Sequence, residues 1–373
     1  MRSAETLSTN RTVGYTDRNA PRCALHEDRG REGRVDLEPT PEQRDTAATF
    51  ERVLARESSA ERVRAVEDAG FDPALWKVLV ETGAVGIAVP EPAGGTGAGV
   101  LELGLAAEAA GRHLACAPLV EAASAAMLLA AVQGQEARSA QALAGGPPVV
   151  LCPRPAAGGT AVLVPGGGAA RGVVALDGGD LVLAQGPPAA PPGDLGFLAC
   201  ADRPLGGGPV ERTVLARGEE ARDLFRAGAG WWRLGSASVL VGLADRALAV
   251  AVDYARTREQ FGVRIGTFQA VQHLLADVAM AVDGARLLVR ETAWRHDEGD
   301  AGWRDAADIA FAHAAETAVR SAEACLHVHG GYGYTLEYDA QLYLRRAKAL
   351  QLQGGDPEAI WASIGAATLR RAG

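Results

Sequence analysis

Helical periodicity in this 373-residue chain stops near Gly145 and resumes at Glu219. Before the break, Phe50, Val53 and Leu54, then Val63 and Val66, then Leu75, Val78 and Leu79 recur at three- and four-residue steps. That spacing lines one face of a helix. Between Gly145 and Leu215 the pattern becomes short β-prone runs at Val149–Leu151, Ala161–Val164, Val173–Leu176 and Leu181–Leu183. Gly- and Pro-rich turns divide them, so a small sheet or open barrel is predicted. Beyond Glu219, helical periods return at Gly235–Thr257, Phe268–Arg295, Arg304–Val328 and Asp339–Ala349, with a shorter one at Glu358–Arg371. The predicted fold is α+β, mainly α: a helical segment over 41–145, a small β domain over 146–218 and a helical segment over 219–373. Residues 1–40 are polar and aperiodic and read as a flexible tail.

Local signals refine this outline. Phe71-Asp72-Pro73 has the form of a helix start, with Asp72 as cap and Pro73 in the first turn. Gly83 to Gly99 is rich in Gly and Pro and predicts a loop. Val100 to Leu129 predicts one or two helices, broken near Pro118. Pro187 to Pro192 carries too many prolines for a central strand.

Several function classes are disfavoured by composition. No uninterrupted apolar run approaches the roughly 20 residues of a membrane span. Met1 to Pro39 mixes seven arginines, Arg2 to Arg34, with acidic residues and has no apolar core, unlike a signal peptide. The five cysteines are scattered and lack CxxC spacing, which speaks against a disulfide framework or zinc site and for a cytoplasmic setting. A net charge of -9 argues against a general nucleic-acid binder.

Two segments carry chemistry. Tyr254-Ala-Arg-Thr-Arg-Glu-Gln-Phe-Gly262 closes a long helix with Arg256 and Arg258. Those guanidinium groups, taken alone, read first as partners of the last helix carbonyls; the sharper alternative is that the planar fork of Arg258 binds a diphosphate. Gln269, opening the next helix, is placed to meet an anion there or to cap its own helix. In Leu326-His-Val-His-Gly-Gly-Tyr-Gly-Tyr-Thr335, the glycines allow close backbone approach and expose amide donors. His327 and His329 alternate without an acidic neighbour, so no metal site is predicted.

Taken in order, RTREQFG, FQAVQH, HGGYGYTLEY and LRRAKALQ strongly resemble the C-terminal half of acyl-CoA dehydrogenases. Leu75-Trp76, the GAVGIAVP run of Gly83–Pro90, Gly94–Gly97 and Glu108–Arg112 follow the same family's N-terminal order. The resemblance covers about 65–132 and 228–356 and omits the middle segment. It implies an N-terminal helical domain, a middle β domain and a C-terminal four-helix bundle, assembled as a homo- or hetero-oligomer. It also implies FAD, an acyl-CoA or acyl-carrier thioester substrate and an electron-accepting flavoprotein. By motif, Arg258 matches the arginine that meets the FAD diphosphate across a subunit interface. Phe261 and Gln269 match neighbours of the adenosine half, and Gly330 and Gly331 match the glycine-rich turn beside the cofactor. His327 stands there in place of a usual glutamine.

The chain departs from the family where the chemistry is done. The base that removes the substrate α-proton is usually a glutamate of a Glu-Gly-Thr triplet following the AK…Q segment. Counting from Ala347-Lys348, that triplet reads Gly354-Gly355-Asp356. The minority base position precedes the arginine that starts the long bundle helix, and here it is Trp232, ahead of Arg233. No catalytic residue is thereby assigned. The flavin-facing Thr-Glu-Pro-Gly-Ser-Asp-type loop has no counterpart between Pro147 and Arg217, and Asp356 and Glu358 replace neutral residues. Three readings follow: a base-lacking subunit of a hetero-oligomer, an independent enzyme with Asp356 or Glu358 as relocated base or with altered chemistry, and a flavin-free scaffold. The apolar surface of the helices from Gly235 to Arg371, including Val239, Leu240, Leu243, Leu248 and Val252, predicts the core and the main oligomer interface.

Overall fold

The computed structural model describes residues 37–189 and 193–372, so most of the expected tail, residues 1–36, lies outside the described residues. Residues from Leu37 onward form one compact unit. Six helices come first: α1 (Pro41–Glu57), α2 (Ala60–Ala65), α3 (Pro73–Glu81), α4 (Val100–Arg112), α5 (Leu119–Ala131) and α6 (Glu136–Leu143). Asp72 starts α3 as its sequence predicts, accepting from the backbone N–H groups of Ala74 and Leu75 at 2.9 and 3.1 Å. The break at Pro118 separates α4 from α5. The expected loop at 83–99 contains two short 3-10 turns, Ala84–Gly86 and Glu91–Ala93. Helix α6, eight residues with only Ser139 and Ala142 buried, is too short to announce itself by periodicity.

The β segment comprises β1 (Val149–Leu151), β2 (Thr160–Val164), β3 (Gly172–Asp177), β4 (Asp180–Gln185), β5 (Ala201–Pro204) and β6 (Glu211–Arg217). A four-stranded sheet has the order β1-β3-β4-β6, with only β1 and β3 parallel, and β2 pairs with β5 beside it. The β3–β4 hairpin is apolar on both faces. Val174, Leu176, Leu181 and Leu183 face the main helical core, while Val173, Ala175, Val182 and Ala184 pack in a second, smaller cluster. Double burial explains the continuous apolar runs in place of alternation. Strands β5 and β6 escaped prediction because their charged residues Asp202, Arg203, Glu211 and Arg212 mask the period.

Helix α7 runs Gly218–Thr257 and is longer than expected, beginning at Gly218 and not at Gly235. Gly228 and Gly230 depress helix propensity there, but tertiary packing overrides them. A side chain at Gly228 would strike Leu128, and one at Gly230 would strike Trp303. Gly111 and Gly242 likewise let α4 and α7 cross at backbone contact with Val239 and Glu108. A two-stranded ribbon, β7 (Glu259–Gln260) and β8 (Val263–Arg264), then leads to α8 (Gln269–Asp297), α9 (Trp303–His329), α10 (Ala340–Gly354) and α11 (Pro357–Ala372).

Helix α7 is the axis of this half and packs on α4, α5, α8, α9 and α10. Its all-round apolarity is therefore satisfied within the chain: Leu240 and Leu243 are buried, and Val239 and Leu248 pack against the same core. Among the described residues it is also the one helix long and apolar enough on average to cross a membrane, although Asp245 and Arg246 interrupt its apolar run and most of that stretch is buried inside the protein. Large apolar side chains left exposed on these helices include Met280 and Leu287 on α8, Leu352 on α10 and Leu369 on α11.

Candidate functional site

The first candidate segment turns at the end of α7. The Arg258 N–H closes the helix on the Tyr254 carbonyl at 2.8 Å, and its own carbonyl accepts from Ile265 N–H at 2.9 Å. Between these anchors β7 and β8 form a hairpin whose two-residue tip is Phe261-Gly262, with φ values of 54° and 78°. Such a turn needs positive φ at both positions, which Gly262 supplies freely and Phe261 only under strain. Phe261 is also 93% exposed, its ring edge-on to Phe268 at 6.4 Å. A strained, bare aromatic at a hairpin tip contributes nothing to this chain's own core. Gln269 follows as the first, exposed residue of α8.

The second segment meets the first. Helix α9 ends at His329, and Gly330 takes φ 61° as the chain enters a 3-10 turn at Gly330–Tyr334. The Arg258 guanidinium lies over the Tyr332 ring, 5.7 Å from its centroid, and Tyr254 stacks on His329 at 4.0 Å. Buried His329 is oriented by the Cys325 carbonyl, 2.8 Å from Nδ1. Arg258 and the glycine turn are thus neighbours although distant in sequence. His327 is exposed on the last turn of α9. Among the described residues nothing beyond the chain neighbours lies within 4 Å of a Cβ placed at Gly330 or Gly331, whereas Gly333 is packed against Leu326 and His329. Among the described residues no carboxylate forms an ion pair with Arg258.

Gly354 and Trp232, the two positions the sequence resemblance matches to the base, are joined in the bundle through Phe311. Gly354 is the last residue of α10, and a Cβ there would overlap the Phe311 ring. Phe311 in turn packs on Trp232, with ring centroids 5.7 Å apart and planes tilted by 37°. Both aromatics are 1% exposed. Trp232 is thus an interior residue of α7, where the sequence reading set it just ahead of that helix. Its Nε1–H donates to Glu121 Oε1 at 3.1 Å.

Burial pushes the Glu121 carboxyl above its ordinary value, against opposing stabilisation from backbone, the Trp232 indole and nearby Arg346. Arg346 is itself buried and donates to the Ala115 and Phe197 carbonyls at 3.0 Å each. The sequence reading missed Glu121 and Phe311. A lone carboxylate inside the alanine-rich run Leu119–Ala131 was the available signal. Asp356 and Glu358 are exposed, and Asp356 Oδ1 accepts from Glu358 N–H at 3.1 Å, capping α11. Among the described residues no group of His, Cys, Asp and Glu could hold a metal ion.

A mainly helical fold with an inserted sheet, a basic helix end against a glycine turn, and a bundle around two aromatic positions define the class. Residues 40–145 match the sequence family described as acyl-CoA dehydrogenase, N-terminal domain, and residues 223–369 match acyl-CoA dehydrogenase, C-terminal domain. Acyl-CoA dehydrogenase IpdE2 of Mycobacterium tuberculosis is 30% identical over 320 residues, covering 83% of this chain and 92% of that protein. Acyl-CoA dehydrogenase FadE27 of the same organism is 31% identical over 358 residues, covering 86% and 95%. The solved ChsE4-ChsE5 complex from Mycobacterium tuberculosis superposes with a TM-score of 0.78 at 27% identity, over 89% of this chain and 98% of that one. The chain belongs to the acyl-CoA dehydrogenase family, flavoprotein oxidoreductases that act on acyl-CoA.

Proposed function

We propose that this chain is a base-lacking subunit of a hetero-oligomeric acyl-CoA dehydrogenase that carries out α,β-dehydrogenation of an acyl thioester. The observation that carries this reading is the occupancy of both base positions. One is a glycine with no room for a side chain, and the other is a buried tryptophan. Neither glycine nor indole accepts a proton from carbon, so proton abstraction falls to a partner chain of the same family that carries the glutamate. Asp356 and Glu358 do not replace it, since both are exposed and Asp356 is engaged in capping α11 through the Glu358 N–H. The resemblance to one chain of the ChsE4-ChsE5 complex supports pairing with a second, related chain.

What this chain retains fits the phosphate end of FAD, which supplies the hydride acceptor when bound. Arg258 has a guanidinium without a carboxylate partner among the described residues, held in place by Tyr332. Gly330 and Gly331 leave open space beside their backbone, as close approach of a ligand requires. Phe261, exposed at its hairpin tip, together with exposed Gln269 and His327, would hold the adenosine half. Electrons taken up by bound FAD would pass to an electron-accepting flavoprotein, in the cytoplasm.

Native mass spectrometry of the tagged chain recovered from its own host tests the reading. The expected result is a mixed oligomer with a second acyl-CoA dehydrogenase-like chain and bound FAD. A homo-oligomer that oxidises acyl-CoA unaided would refute it.

A further inference from the structure

We infer that the acyl chamber of this chain is sealed from within by an aromatic plug, Trp232 and Phe311 closed over Gly354, so that the chain takes up no acyl group and only its partner's chamber does. This rests on the base-lacking reading and extends it from proton chemistry to substrate binding.

Four helices contribute to the closure. Phe311 from α9 fills the volume that any side chain at Gly354 of α10 would need. Trp232 from α7 backs Phe311 with its ring 5.7 Å away, and Glu121 from α5 takes the indole N–H at 3.1 Å. That hydrogen bond fixes the indole edge, and close packing fixes its faces, so the ring has no vacant position into which to swing. The Glu121–Trp232 contact is a polar group paired inside an apolar core, which costs stability if left unpaired and therefore resists opening.

The remaining space agrees. The two cavities bordered by Glu121 and Arg346 hold about 40 and 20 Å³. That is room for one or a few waters, far below the several hundred Å³ of an ordinary ligand pocket. Larger cavities, of about 600 and 720 Å³, lie elsewhere. The first is a charged cleft with Glu108, Arg112, Arg286 and Arg290, and the second adjoins Phe71, Trp76 and Val80. None of these four cavities is lined by Trp232, Phe311 or Gly354, so no open space adjoins the plug itself among them.

The test compares binding of free CoA, butyryl-CoA and octanoyl-CoA to the full-length chain by equilibrium dialysis. The plug predicts that the acyl group adds nothing: the thioesters bind within about twofold of free CoA. Saturable binding of either thioester, one per chain and about tenfold or more tighter than CoA, would overturn the proposal. The double variant Trp232→Ala/Phe311→Ala, with unchanged helix content by circular dichroism, should gain acyl-dependent binding of octanoyl-CoA. A folded double variant without that gain would also count against the plug. Should the double variant not fold, the wild-type comparison decides. The two readings fail separately, since the subunit reading is judged by oligomer composition and the plug by the acyl increment alone.

Discussion

Gly354→Ala separates a position that has merely lost its base from one closed by packing. The added Cβ overlaps the Phe311 ring, and Phe311 is 1% exposed and braced by Trp232, so the ring cannot retreat without moving α9 or α7. Overpacking of this kind costs about 1–3 kcal/mol. Replacing a helical glycine by alanine returns up to about 1 kcal/mol. A net loss of about 1–2 kcal/mol is expected in the wild-type background. Phe311→Ala alone should cost about 3–5 kcal/mol through the cavity it leaves. In that background the clash is gone, and Gly354→Ala should be neutral or stabilising by up to about 1 kcal/mol. The double-mutant cycle, measured by urea unfolding, should therefore show coupling equal to the clash, about 1–3 kcal/mol, between sites that are direct neighbours. Equal effects of Gly354→Ala in the two backgrounds, or stabilisation in the wild type, would show that Phe311 does not close the position.

Three further perturbations address other parts of the structure. Arg258→Ala should lower FAD affinity about tenfold to hundredfold, because a charge-assisted contact to phosphate is worth about 1.5–3 kcal/mol; flavin retention through gel filtration, with helix content unchanged, reads this directly. Glu121→Gln keeps an acceptor for the Trp232 indole but removes the titration. Burial raises the folded carboxyl above 4.5, so the contribution of its proton is present at low pH and lost as pH rises towards the folded value. The wild type should therefore lose about 1.4 kcal/mol per pH unit across that window relative to Glu121→Gln, and parallel thermal-stability profiles would contradict the assignment. Asp72→Ala should destabilise by about 1–2 kcal/mol in urea, since it strips the cap from two N–H groups of α3 and the ion pair to Arg62 at 2.9 Å.

The helical framework was legible because long, periodic segments state their own structure. The Asp72 cap and the Pro118 break needed only local rules, and four strands stood out as β-branched runs between turns. What the sequence concealed was set by tertiary contact. The start of α7 at Gly218 hides behind glycines that exist to admit Leu128 and Trp303. Strands β5 and β6 hide behind charges, and α6 is too short to show a period.

The candidate site divides in the same way. That Arg258 and the glycine turn belong together was readable through family resemblance, whereas the ring contact joining them was not. The glycine at 354 and the tryptophan at 232 read as two separate losses. Only the fold shows them to be one feature, bridged by Phe311, a residue without any local signal. Glu121 did carry a signal, a single carboxylate among apolar neighbours, but its partner lies 111 positions away.

The central claim is that this chain holds cofactor-binding groups without an acyl site or a base. Its most direct test is anaerobic addition of butyryl-CoA and octanoyl-CoA to the purified chain loaded with FAD, followed through the visible flavin absorption. The oxidised flavin band should persist with either thioester, while dithionite bleaches it normally. Bleaching of that band by a thioester in the absence of any partner chain would contradict the account.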